Sequence, residues 1–95
     1  MLVKIKQLVV ENNGYKRNFL KKDIFINLHK VVSISDYHAM EEFLLSENTE
    51  LKNKKFSLVK INEGGTTNSI IAFGTAEEIT RNFSKKAEIL HDWRL

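Results

Sequence analysis

"KIKQLVVENNGYKRNFLKKD", residues 4–23, decides how this chain is read. Its first half is β-branched and alternates, with Val3 and Ile5 set against Lys4 and Lys6, which is the pattern of a half-buried strand. Asn13-Gly14 then interrupts it. Asn-Gly is the strongest short hairpin signal, because a type I′ turn requires positive φ at both central residues. With that pair at the turn, Asn12 faces Tyr15, Glu11 faces Lys16 and Leu8 faces Phe19. One face then carries Val3, Ile5, Val9, Leu20 and Ile24 as a core layer. The other carries Lys4, Lys6, Arg17 and Lys21, interleaved with Tyr15 and Phe19. Two residues resist this scheme: Lys16 and Lys22 fall on the core side. Lys6 would also stand directly opposite Lys21, an unfavourable like-charge pair. The register therefore predicts a twist, a bulge or an early end to the hairpin.

Outward from the hairpin, "DIFINLHKVVSIS" predicts two short strands, Ile24 to Asn27 and Val31 to Ser35, around a turn at Asn27 and His29. Met40, Phe43 and Leu44 recur at i, i+3 and i+4, so 37–45 predicts a short helix with its acids outward. A polar loop follows. "KFSLVKI" and "SIIAF" predict a second pair of strands joined by a loop, "NEGGTTN". In "GTAEEITRNFSKKAEIL", Thr75 suits an N-cap, and Glu78 three residues later completes a capping box. Ala76, Ile79, Phe83, Ala87 and Leu90 then form a stripe at helical spacing, with Arg81, Lys85 and Lys86 off it. Strands followed by a terminal helix predict one α+β domain over 1–95. Its architecture is a mainly antiparallel twisted sheet, or a small partly open barrel of about five or six short strands, with one C-terminal helix packed on it.

Composition narrows the function. The chain has 95 residues, of which 42% are hydrophobic and 28% charged, within the ordinary range for a globular domain. Cysteine is absent, which excludes disulfides and thiolate metal sites and accords with a cytoplasmic location. Runs such as "LVV" and "FLL" are too short to span a bilayer, and "MLVKIKQ" has no secretory h-region, so a membrane role is not expected. His29, His38 and His91 share no metal spacing. Glu41-Glu42 and Glu77-Glu78 are adjacent pairs that diverge on a helix, and the second pair suits a helix N-terminus. "EGGTTN" lacks the lysine and the following helix of a phosphate loop. No nucleophile elbow is present. The expectation is a non-enzymatic protein with no catalytic residue, metal or cofactor.

Charge is the informative property. Residues 1–35 hold seven cations against Glu11 and Asp23, 7 − 2 = +5. Residues 36–50 hold five carboxylates and no cation, −5, and 51–60 return to +4 through Lys52, Lys54, Lys55 and Lys60. The basic hairpin face predicts a nucleic-acid platform of Lys4, Lys6, Tyr15, Arg17, Phe19 and Lys21. Its cations would track DNA or RNA phosphates while its rings stack on bases. The alternative is a protein-interaction module that presents Glu41, Glu42, Glu47 and Glu50 to a partner protein. The block either folds back on the basic hairpin, where it would compete with nucleic acid for the same cations, or faces outward, with Met40, Phe43 and Leu44 anchoring it while its carboxylates point away. Trp93 is either a packing plug or a partner anchor.

The runs "DIFINLHKVVSI" and "GTAEEITRNF" resemble a pattern in small uncharacterised β-rich proteins of temperate phages and prophages of low-GC Gram-positive bacteria. The matching positions are Ile26, Asn27, Val31 and Ile34, then Gly74, Thr75, Glu77, Glu78 and Ile79. The resemblance implies a β-rich module with a closing helix and a phage accessory role and, on the interaction reading, a host or phage protein as the partner. It implies no active site, and the acidic block lies outside it.

Overall fold

The computed structural model describes residues 2–47, 50–51 and 53–84. Five strands form one antiparallel sheet: β1 (Leu2–Asn13), β2 (Lys16–Asn27), β3 (Val31–Asp36), β4 (Phe56–Glu63) and β5 (Thr66–Phe73), in the order β2-β1-β5-β4-β3. Helix α1 (His38–Glu47) joins β3 to β4, and helix α2 begins after Thr75 and occupies 76–84 of the described chain. The expected α+β class holds, with five strands in an open sheet. Two of them are twelve residues long rather than short, and a second helix packs on the sheet.

The first hairpin forms, but its register is two residues away from the expected one. Asn13 pairs with Lys16, so Gly14 and Tyr15 occupy the turn, and Gly14 takes φ of +65°. Leu8 therefore faces Lys21, Glu11 faces Asn18 and Asn12 faces Arg17. Lys6 faces Asp23, and its Nζ lies 3.0 Å from Asp23 Oδ1. Replacing a Lys–Lys juxtaposition by this ion pair is the physical gain of the observed register. A shift of two leaves every side chain on its original face, because the strand period is two. The expected core layer holds in part: Val3 and Ile5 are buried and Ile24 packs against them, whereas Val9 and Leu20, nearer the turn, are only half-buried. Lys16 and Lys22 sit on that face but remain exposed, Lys16 beside the turn and Lys22 on the edge strand.

The break expected near Asn27 is a single 3-10 turn, Leu28–Lys30, capped by Asn27, whose Oδ1 accepts the His29 N–H at 3.0 Å. This turn shapes the whole molecule. It carries the chain from one edge strand, β2, to the opposite edge strand, β3. In a flat sheet those edges would stand about 19 Å apart, four strand spacings, whereas a 3-10 turn advances only about 2 Å per residue. The sheet must coil until its edges approach. Consistently, Ile24, Leu28, Val31 and Ile34 pack with Val3, Val59 and Ile61 in one inner cluster. No β2–β3 ladder closes the sheet.

The two helices cover opposite faces. On the inner face, Ile79 and Phe83 of α2 join the buried cluster, as the helical stripe predicts; Ala87, Leu90, Lys85, Lys86, His91 and Trp93 lie outside the described residues. The N-terminus of α2 is tied twice. Thr75 Oγ1 accepts the Glu78 N–H at 3.2 Å, and Asp36 Oδ1, from the end of β3, accepts the Ala76 N–H at 2.8 Å. On the outer face, Leu44 of α1 is buried with Leu8 and Phe56, ringed by Phe19, Tyr37, Met40, Phe43, Ile71 and Phe73. The β4–β5 connection is tighter than the expected loop. Gly64 and Gly65 alone make it, with φ of +57° and +86°, the two positive values that a type I′ turn requires.

Candidate nucleic-acid interface

β1 and β2 bring the expected basic residues to one surface, the outer face of the hairpin, but α1 divides that surface in two. Its upper part, towards the turn, is occupied. Arg17 forms an ion pair with Glu47, and its guanidinium carbon lies 5.2 Å from the centre of the Phe43 ring. Phe19 meets the same ring edge-on, centroids 6.1 Å apart, and is half-buried. Tyr15 is 99% exposed at the turn itself, beside Arg17 and Glu47. The expected six-residue platform is therefore not one continuous surface.

The lower part is open. Lys4 faces Phe25 across the hairpin, and Phe25 is 66% exposed, with Leu2 beside it at 64%. Lys6 and Lys21 share this face and are exposed. Lys21 Nζ lies 5.1 Å from the centre of the Phe73 ring, which holds that ammonium over the sheet. Asp23 is the only carboxylate of β1 or β2 on this face. Its hydrogen bond and ion pair with Lys6 hold its pKa below the ordinary 3.8, so it stays ionised and offsets one lysine. Lys4 and Lys6 also border a cleft of about 230 Å³ between β1 and α2, lined by Ile5, Phe73, Ile79, Asn82 and Phe83. It opens where β1 leaves β5, since the two strands pair at Gln7 and Ala72.

Sequence reasoning misses Phe25 because it sets the Ile24–Asn27 run apart as a separate short strand. The available signal was its parity. Once β2 runs unbroken to Asn27, Phe25 falls on the same face as Arg17, Phe19 and Lys21, opposite the buried Ile26.

The acidic block is neither wholly outward nor wholly folded back. Glu42 and Glu50 are exposed. Glu47 holds Arg17. Glu41 is 14% exposed and accepts from the Phe56 N–H at 3.3 Å and Lys55 Nζ at 3.4 Å, with His38 Nδ1 at 3.5 Å. Burial pushes its pKa up, but the Phe56 N–H, His38 and Lys55 together outweigh that and leave it below the ordinary 4.5. Asp36 caps α2. Three of the five carboxylates thus have structural work inside the molecule, which weakens the expectation that the block exists as a partner surface.

Among the described residues, no three His, Asp or Glu side chains converge on a possible metal position, and no helix is long and apolar enough to cross a membrane. No family model, curated protein or solved structure matches the chain.

Proposed function

We propose that this protein binds single-stranded nucleic acid on the open lower part of the hairpin's outer face, through Lys4, Lys6, Lys21 and Phe25. The observation that carries the reading is the exposed Phe25 ring set directly opposite Lys4, with two further ammonium groups on the same face. A large aromatic on the polar face of an edge strand adds nothing to the core and costs solubility. It is accounted for if a base stacks on it while lysines take the adjoining phosphates. A single strand suits this surface better than a duplex. Stacking needs an unpaired base, and the patch carries three lysines against one carboxylate, a modest charge for a duplex binder. On this reading the chain is a non-enzymatic accessory protein of the kind the phage resemblance implies.

The test is an anisotropy titration with labelled single-stranded DNA, its duplex and single-stranded RNA at several salt concentrations. The reading expects single strands to bind more tightly than the duplex. It expects a log–log salt slope of about −1.4 to −2.1, from Lys4 and Lys21 at ~0.7 each and up to as much again from Lys6, which must leave Asp23 to contribute, and a weakening of about 5- to 150-fold in Phe25→Ala, from the ~1–3 kcal/mol of one stacked base. Failure of all three nucleic acids to bind at low salt overturns it.

A further inference from the structure

Helix α1 offers the hairpin the same two groups that a nucleotide would. Glu47 gives Arg17 an anion, and Phe43 gives Arg17 and Phe19 an aromatic ring, at 5.2 and 6.1 Å. Arg17 and Phe19 lie on the same face as Phe25, Lys21 and Lys4, so a strand seated on Phe25 and running up the hairpin reaches them next. The distance is six residues of β2, about 20 Å. We infer that the last turn of α1 is a built-in competitor for nucleic acid: it occupies an upper subsite, Arg17 with Phe19, and must yield it before a strand can extend along the hairpin. This inference rests on the reading of the lower patch as a single-strand site.

The helix end is suited to yielding. The last turn of α1 carries Glu47 and no basic residue, the wrong charge for the negative end of the helix dipole. Arg17, thirty residues away in sequence, supplies the missing cation. A phosphate that takes Arg17 therefore removes the charge that steadies this turn. By linkage, whatever loosens the turn frees Arg17 for phosphate to the same degree. Leu44, buried one turn earlier, keeps the rest of α1 docked while this happens.

The test is a double-mutant cycle on the full chain with a labelled oligothymidylate, comparing the parent, Glu47→Gln, Arg17→Ala and the double variant. Both side chains are partly exposed, and a thermal melt confirms that each variant folds. Removing the Glu47 charge is expected to tighten binding about 1.5- to 5-fold, the range of an exposed ion pair. The salt slope is expected to steepen by ~0.7, one further single-strand phosphate contact. Arg17→Ala is expected to cost less binding in the parent than in the Glu47→Gln background, where it abolishes the gain. If the parent binds and Glu47→Gln neither tightens it nor steepens the slope, the inference fails while the lower site stands. An equal loss from Arg17→Ala in both backgrounds also overturns it, because Arg17 would then already be free. Binding by none of the four proteins removes the lower site, and the inference with it.

Discussion

Two adjacent leucines provide a test of how α1 is attached. Leu44 is 0% exposed, packed with Leu8 and Phe56, whereas Leu45, the next residue of the same turn, is 56% exposed. Replacing either by Ala removes the same three carbons and improves helix propensity slightly. At about 0.8 kcal/mol per buried carbon, the Leu44 change forfeits about 2.4 kcal/mol of transfer energy. The cavity left against Leu8 and Phe56 adds to this, giving roughly 3–4 kcal/mol in all. Leu45→Ala is expected to fall within about 0.5 kcal/mol of the parent. For a domain of this size, Leu44→Ala is expected to lower Tm by at least 12 °C, at about 4 °C or more per kcal/mol. Urea denaturation followed by circular dichroism measures both variants, with an unchanged m-value as the check that only stability moved. If the two substitutions cost the same, or if Leu44→Ala costs under 1 kcal/mol, α1 is not docked on the outer face as described. The division of the hairpin surface would then fall with it.

Other expectations follow from single contacts. Ser57 is fully buried and its Oγ has no hydrogen-bond partner among the described residues, so Ser57→Ala is expected to leave the protein as stable or raise stability by about 1 kcal/mol in the same urea experiment. Asp36→Ala is expected to cost about 1 kcal/mol by uncapping the Ala76 N–H, with Asp36→Asn recovering part of the loss. Glu41 is ionised in the fold with a pKa below 4.5, so its contribution is complete above that pH and disappears as pH falls through the lower folded value. Stability measured between pH 6 and pH 3 is therefore expected to decline less steeply in Glu41→Gln than in the parent.

Much of the fold was legible because hydrophobic period and turn chemistry agree locally. The alternation around Val3 and Ile5, the Thr75 cap and the Ile79–Phe83 spacing each need only neighbouring residues to be read. The hairpin register was harder. Asn13-Gly14 and Gly14-Tyr15 both place Gly14 where φ is positive, and a two-residue shift preserves both faces, so hydrophobicity cannot choose between them. Charge could have chosen, since the Lys6–Lys21 conflict vanishes when Asp23 moves opposite Lys6. Other features depend on contacts between distant parts of the chain. Asp36 caps a helix forty residues later, and Arg17 meets Glu47 only because α1 folds onto the outer face. For the same reason, no local pattern could show that Arg17 and Phe19 would meet α1 while Phe25 stayed open.

The most direct measurement of the central claim is an amide and side-chain shift map of the labelled protein during titration with a short oligothymidylate. The account predicts that the first perturbations centre on Lys4, Lys6, Lys21 and Phe25, including the Phe25 ring protons. Phe43 and Glu47 should follow only at higher occupancy or in longer oligonucleotides. Perturbations that instead begin on the exposed side of α1, at Glu42 and Leu45, or that never reach Phe25, would contradict it.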